Sequence, residues 1–243
     1  MADFGIIGSA GRMGRALAMA IEEAGHKCAV GVDAGDDVSV IADQCDVLVD
    51  FSAPAALEAN LKAASEAGTP ILIGTTGLEE PHFAFVDYAA KTIPLIQTGN
   101  TSLGVTLVSA LVQEAAARLG PDWDIEVLEM HHRHKVDAPS GTAKLLGKAA
   151  AKGRGIDLET NREAVRDGYT GKRSKGAIGF ATLRGGSVVG EHSVIFAGEE
   201  ERITLSHSAE NRRIFARGAV RGGAWLIGQE PGRYRMEDVL GLT

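Results

Sequence analysis

Cysteine is scarce in this sequence. Of 243 residues two are cysteines, Cys28 and Cys45, and they form no CxxC or metal-type spacing. That argues against a disulfide framework and suits a reducing compartment. Both read as small buried hydrophobes. A positive charge excess is also missing. The formal net charge is -7, the wrong sign for a nucleic-acid or acidic-membrane partner. No apolar run approaches the length needed to cross a bilayer. The start, Met1-Ala2-Asp3-Phe4, lacks the basic stretch that opens a secretory signal. The expectation is a cytoplasmic protein with neither membrane nor nucleic-acid partner. Internal repeats, low-complexity tracts and long linkers are absent as well. What remains is ordinary for a soluble globular chain, with 44% hydrophobic and 23% charged residues. The length allows one large domain or two small ones and a sizeable core.

Up to about residue 100, short apolar runs alternate with helical periodicity. Residues 4–7, 29–32, 46–51, 70–73 and 93–96 read as strands. Met13, Leu17, Ala20, Ile21 and Ala24 have helical spacing over 12–24, and a second helix starts near Pro54 and closes at Gly68. This alternation predicts an α/β fold with a Rossmann-like, doubly wound parallel sheet. The character changes near residue 103. Helices at 105–119 and around 142–152 accompany strand-like segments at 124–130, 178–183, 187–189, 193–196 and 202–206. A glycine- and charge-rich loop covers 153–176. Strands in series predict a second, α+β domain with a mixed or antiparallel sheet. Helix signals return at 214–227.

The first strand leads into Gly8-Ser9-Ala10-Gly11-Arg12-Met13-Gly14, which opens a helix. Glycines there permit a tight turn, let backbone approach a pyrophosphate and set that anion at a helix N-terminus. The spacing is GxxGxxG, not GxGxxG, and glycine turns between strands and helices are common. Asp33, at the end of the second strand, is placed to bind adenosine ribose hydroxyls. Its charge would repel the extra 2′-phosphate of NADPH, and Ala34 and Gly35 supply no offsetting cation. NADH is therefore expected to be favoured over NADPH, although Arg12 lies in the loop and can serve a 2′-phosphate. As a bare strand end, Asp33 also reads as a turn residue. Gly74-Thr75-Thr76-Gly77 ends another strand, at the edge where open α/β sheets bind ligands.

A basic run, His131-His132-Arg133-His134-Lys135, stands out in an acidic chain. Ser140 after Pro139 is a good N-cap, so the N–H groups of Gly141 and Thr142 would form an anion site. Cations beside a helix N-terminus suit a carboxylate-bearing substrate, and histidine and lysine can exchange protons near neutral pH. Three other readings stay open at this point: a histidine metal site, for which no acidic or cysteine partner has the usual spacing, a solvated basic turn, and an anion site for nucleic acid.

The segment from Glu129 through the histidine run to Pro139-Ser140-Gly141-Thr142-Ala143 closely resembles the signature of the dihydrodipicolinate reductase family. The likeness extends over nearly the whole chain, through Arg12-Met13-Gly14, Asp50-Phe51-Ser52, Gly74–Gly77, the Asn100 segment, 179–184 and Val189-Gly190-Glu191-His192. The resemblance implies reduction of 4-hydroxy-tetrahydrodipicolinate, a cyclic dicarboxylate, to tetrahydrodipicolinate in diaminopimelate and lysine biosynthesis. It implies His131 as acid/base residue, Lys135 as proton donor, and His132, Gly141 and Thr142 as substrate contacts. Gly8, Ser9, Ala10, Gly11, Arg12, Met13, Asp33, Gly74, Thr75, Thr76, Thr98, Gly99, Asn100 and Thr101 would line NADH or NADPH, and no metal is expected. It further implies a homotetramer and two domains. Residues 1–102 with 212–243 would bind the dinucleotide, and 103–211 would bind substrate and assemble the oligomer. In this chain Ala34 follows Asp33 where some members carry arginine, which bears on cofactor preference. Alternatives are another NAD-dependent dehydrogenase of a small carboxylate on the same fold, a non-enzymatic NAD-binding sensor, and a metal-dependent hydrolase using the histidines.

Overall fold

Val47, Leu48 and Val49 are all shut off from solvent, although neighbouring residues of a strand point to opposite faces. Their strand must be covered on both sides, the usual condition of a parallel sheet. The computed structural model, which describes residues 1–242, has this arrangement. β1 (Asp3–Ile7), α1 (Arg12–Glu23), β2 (Lys27–Val32), α2 (Ser39–Ala42), β3 (Val47–Asp50), α3 (Leu57–Ala67), β4 (Ile71–Ile73), α4 (Glu80–Ala89) and β5 (Pro94–Gln97) follow in order. In α1 the buried residues Gly14, Leu17, Ala20 and Ile21 form one stripe, as three- and four-residue spacing requires. A 3-10 turn at Pro54–Ala56 precedes α3, so the expected helix begins one turn late. Gly68 closes it in the left-handed region at φ 70°.

The chain then enters α5 (Leu103–Leu119), β6 (Asp124–His131), α6 (Gly141–Arg154), β7 (Arg162–Glu163), β8 (Ile178–Arg184), β9 (Gly190–Ala197) and β10 (Arg202–Ala209). These strands form a mixed sheet in the order β10-β9-β6-β8-β7. β6 runs parallel to β8 and antiparallel to β9, and β9 runs antiparallel to β10. Ile125, Val127, Ile178, Phe180, Val194 and Phe196 face Val112, Ala116, Leu146 and Ala150 of α5 and α6 in one core. On the other face Leu128, Met130 and Ile195 are half-buried and Leu183 is exposed. The strand expected at 187–189 is absent. Those residues lie in the turn after Gly185 and Gly186, and the segment expected at 193–196 is part of the longer β9. Gly186, at φ 51°, ends the extended run there.

The last segment supplies α7 (Arg213–Leu226), β11 (Gly232–Tyr234) and α8 (Met236–Val239). β11 pairs parallel with β5, giving a six-stranded sheet in the order β11-β5-β4-β3-β1-β2. On one face α2, α3 and α4 pack Ile41, Leu57, Leu61 and Val86 against Leu48, Ile71 and Ile73. On the other, α1, α7 and α8 pack Leu17, Ile21, Val220 and Met236 against Phe4, Ile6, Val49 and Ile96. Two compact units result, Met1–Leu103 with Arg213 onward, and Gly104–Arg212. The fold is α/β, a Rossmann-like parallel sheet joined in sequence to an α+β unit with a mixed sheet.

Phe196 is completely buried at the centre of the second core. Phe196→Ala should therefore destabilise this unit by about 3–5 kcal/mol through lost burial and a residual cavity. Urea denaturation read by Trp123 fluorescence measures it, since Trp123 packs against the same core. A loss well under 1 kcal/mol would contradict this packing.

Candidate functional sites

In the first unit, β1 ends at Ile7 and the chain turns through Gly8–Gly11 into α1. Gly8 has φ +89°, and a Cβ there would come 2.7 Å from the Phe51 carbonyl oxygen. A Cβ on Gly14 would collide with the Gly8 and Ser9 carbonyl oxygens. Both positions therefore require glycine, and the turn holds its backbone close against the helix start. The N–H groups of the first turn of α1 have no carbonyl one turn back. With the positive helix end they can receive an anion such as a pyrophosphate.

Asp33 makes contacts that the sequence did not indicate. Its carboxylate accepts from Ser9 Oγ at 2.7 Å and from the Ala10 N–H at 3.0 Å. It therefore braces the loop from the end of β2 and keeps acceptor capacity for a further donor.

Two cavities adjoin the loop. One, of about 360 Å³, is lined by Gly8, Gly11 and Asp33 among others. The second, of about 340 Å³, brings together Met13, Gly74–Thr76 and Thr98–Thr101. Phe51 and Ser52 line both. The sequence-derived dinucleotide residues thus divide between two chambers that share a wall along the carboxyl edge of the sheet. That suits an elongated ligand with a pyrophosphate in its middle, and the residues present fit such a group. Of the named residues, Ser9, Ala10 and Arg12 shape the turn without lining either cavity.

The wall depends on a residue not singled out as functional in the sequence. Asp50 is fully buried. It accepts from the Ser52 N–H (2.8 Å), Ser52 Oγ (2.6 Å), Thr75 Oγ1 (3.1 Å) and Asn60 Nδ2 (3.1 Å). It ties the loops after β3 and β4 together. An acidic residue closing an otherwise apolar strand was the available signal.

In the second unit, alternation along β6 turns Glu129 and His131 to the same buried face. His131 Nδ1 lies 2.5 Å from Glu129 Oε2. Arg184, from β8, grips Glu129 through Nη1 to Oε2 (2.8 Å) and Nη2 to Oε1 (2.9 Å). The Ser140 N–H donates to Oε1 at 3.1 Å. Ser140 caps α6, accepting from the Ala143 N–H at 3.1 Å, and its Oγ lies 2.9 Å from His192 Nε2. The rings of His131 and His192 meet edge-on with centroids 5.0 Å apart.

His132 Nε2 lies 3.1 Å from Arg212 Nη2. Slight burial and then the Arg212 charge hold its imidazole below the ordinary range. Lys135 Nζ is paired with Asp137 Oδ1 at 2.8 Å, and that hydrogen bond is the main reason the Asp137 carboxyl is held low. A Cβ built on Gly141 meets nothing within 4 Å, so the space over the start of α6 is open. The unit therefore collects an oriented imidazole, an ammonium, a second imidazole with a guanidinium, and a capped helix N-terminus. Together these can bind carboxylates and exchange protons. Glu129, Arg184 and His192 complete the cluster together with Arg212; the first three lie in segments that carried the family resemblance but were given no role in the sequence, and Arg212 was not named. Among the described residues no group of His, Cys, Asp and Glu gathers as metal ligands, and no helix is long and apolar enough to cross a membrane.

Comparison with known proteins bears on both units. A model for the N-terminus of dihydrodipicolinate reductase matches residues 3–101, and one for its C-terminus matches 104–240. The chain is 54% identical to the 4-hydroxy-tetrahydrodipicolinate reductase of Zymomonas mobilis, over 98% of this chain and 96% of that protein. It is 50% identical to the reductase of that name from Brucella abortus, over 98% of each. A dipicolinate-bound dihydrodipicolinate reductase from Paenisporosarcina sp. TG-14 shares the fold with a TM-score of 0.77, at 21% identity and 97% coverage of both chains.

His192 gives the second unit a pH dependence. It is 4% exposed, and burial first, then the His131 charge, depresses its imidazole from 6.5 to about 4. The unfolded chain takes up this proton near 6.5, whereas the folded chain resists it down to about 4. Folding stability is thus expected to fall as pH drops through that window. Equilibrium denaturation at a series of pH values should record the loss, and His192→Gln should flatten it. The same slope in the variant would show that another group is responsible.

Proposed function

The chain belongs to the dihydrodipicolinate reductase family, and from that premise we propose how its two units divide the work. It is an NAD(P)H-dependent oxidoreductase that reduces 4-hydroxy-tetrahydrodipicolinate to tetrahydrodipicolinate in lysine and diaminopimelate biosynthesis. The first unit is the dinucleotide-binding domain. Gly8–Met13 hold the pyrophosphate, Asp33 takes the adenosine ribose hydroxyls, and Gly74–Thr76 with Thr98–Thr101 line the remainder. When bound, the reduced nicotinamide would supply a hydride to C4 of the substrate ring, with the 4-hydroxyl leaving as water. The second unit binds the substrate. His132 and the N–H groups of Gly141 and Thr142 grip its carboxylates. Lys135 gives a proton to the ring, and His131 is the acid/base group. A cation and a proton donor beside the ring offset the electron density that hydride addition builds there.

The observation that carries this division is the joining, in one buried cluster, of a proton-exchanging imidazole and the capped start of α6. The partly exposed sheet face around Leu128, Met130, Ile195 and Leu183 supports assembly of a homotetramer through this unit. Light scattering on the purified protein tests that mass. A cytoplasmic location agrees with the net charge of -7 and the biosynthetic role.

NADH is the preferred cofactor in this reading, because Asp33 presents a carboxylate where a 2′-phosphate would lie and Ala34 gives no cation beside it. The assay couples the protein to dihydrodipicolinate synthase, which makes the unstable substrate in place. NADH oxidation should require both proteins. Oxidation by neither cofactor, from folded protein that binds NADH, would move the reading to another carboxylate substrate. In the same assay Asp33→Asn should raise the NADPH-to-NADH ratio of kcat/KM about tenfold, equivalent to about 1.4 kcal/mol. An unchanged ratio would remove the ribose contact from the proposal. Lys135→Ala should lower turnover on the order of 10²-fold and leave NADH affinity intact. A large loss of NADH binding would contradict the role given to Lys135.

A further inference from the structure

We propose that Glu129 is a positioning residue of this reductase, fixing His131 with its proton on Nδ1 and keying the start of α6 to the same carboxylate. The inference rests on the reading of His131 as the acid/base group.

The donors around Glu129 settle its charge. Arg184 Nη1 and Nη2 and the Ser140 N–H all point at it, with Thr182 Oγ1 at 3.3 Å from Oε1. Guanidinium and amide groups donate and cannot accept. A neutral carboxyl could turn its O–H only to His131 or Thr182, and the Arg184 guanidinium gripping both oxygens favours the carboxylate. Burial by itself pushes the Glu129 carboxyl up. Arg184, His131 and the Ser140 N–H together outweigh that and hold it below its ordinary range.

An anion 2.5 Å from Nδ1 requires a hydrogen on that nitrogen. The neutral ring then has its lone pair on Nε2, the atom left to exchange a proton with substrate. Gly190 keeps that side of the ring clear, since a Cβ there would lie 3.0 Å from Nε2. The other groups about the ring do not compete for Nδ1. His192, on β9, meets it edge-on and is tied through Nε2 to Ser140. Arg184 is spent on Glu129 and on the Asp137 carbonyl oxygen at 2.7 Å. Lys135 is paired with Asp137.

The second half of the inference follows from the other oxygen. Oε1 holds the Ser140 N–H, and Ser140 Oγ caps the Ala143 N–H. One carboxylate thus sets both the proton-exchanging ring and the helix end assigned to the substrate carboxylate. In Glu129→Gln, a single amide oxygen cannot accept from His131, Arg184 and Ser140 together. If the amide NH₂ turns to His131, it donates to Nδ1 and drives the ring proton to Nε2.

The deciding measurement is the tautomer of His131 in the full chain labelled with ¹⁵N-histidine, without substrate, at a pH where the ring is neutral. Long-range ¹H–¹⁵N correlation distinguishes the two nitrogens, and His131→Gln assigns the signal by its loss. A protonated Nδ1 and a bare Nε2 are expected. The opposite tautomer or an even mixture would overturn the proposal. This reading needs no turnover, so it can fail while the reductase assignment stands, and the reverse holds too. In Glu129→Gln the preference should vanish, kcat should fall on the order of 10²-fold, KM for the dicarboxylate should rise, and NADH affinity should stay unchanged. A folded Glu129→Gln with wild-type kcat and the wild-type tautomer would refute it. If that variant does not fold, the spectrum of the unaltered protein still decides.

Discussion

A carboxylate withdrawn from water must be surrounded by donors, and each unit of this protein is organised round one. Removing such a charge from solvent costs several kcal/mol unless hydrogen bonds replace the water. In the first unit the charge is Asp50, satisfied by a backbone N–H, two hydroxyls and an amide from the segments after β3 and β4 and from α3. In the second it is Glu129, satisfied by a guanidinium, an imidazole, a backbone N–H and a threonine hydroxyl. The donors belong to segments far apart in sequence, so meeting the electrostatic demand also fixes the loops. Sheet packing delivers the strand ends to the right place. The buried carboxylates then decide how the loops leave those ends.

The two differ in a way that suits what each must do. Asp50 has neutral donors around it, and it fixes a wall shared by two cavities. Glu129 has a guanidinium beside it and a titratable ring on its other side. Arg184 balances the carboxylate charge, so Glu129 orients the imidazole as a hydrogen-bond partner within a compensated pair. A charged pair with no further role could be exchanged for apolar packing at little loss or some gain. Its position against the His131 ring is explained by orientation better than by stability.

The portions of this molecule that the sequence made legible are those whose logic is local. The glycine loop, Asp33 and the Gly74-Thr75-Thr76-Gly77 turn sit next to the strands and helices that give them meaning. The Ser140 cap is three residues from the N–H it satisfies. The alternation of short apolar runs such as Val47-Leu48-Val49 with helical periodicity announced the parallel sheet. The partners that complete the sites are remote. Arg184 is 55 residues from Glu129, His192 is 52 from Ser140, and Arg212 is 80 from His132. No periodicity links them; the register of the mixed sheet brings Arg184 beside Glu129 and sets His192 near Ser140, while Arg212 follows the last strand of that sheet. β7 and β11 escaped for another reason. With two and three residues they are too short for alternation to show, and their existence depends on neighbouring strands. The misplaced strand at 187–189 has the same origin in reverse, since its composition favoured a strand but Gly185 and Gly186 place it in a turn.

Net charge is a poor guide to what the sites of this protein look like. The chain carries -7 overall, yet the segment after β6 gathers cations in a small space. Crowding has a consequence for their protonation. Because Arg212 can only donate, His132 Nε2 must accept at 3.1 Å. His132 is then neutral, its proton sits on Nδ1, and its depressed imidazole agrees with that state. His192 is likewise held neutral by burial. The histidine run is therefore not a uniform patch of positive charge. His132 is an oriented acceptor within it, and Arg133 and Lys135, with Arg212 beside His132, carry the charge. For a dicarboxylate substrate that is the better arrangement. Fixed N–H donors can recognise a carboxylate by geometry, while neutral imidazoles at His132 and His192 avoid the repulsion that two imidazolium ions there would add before any anion arrived.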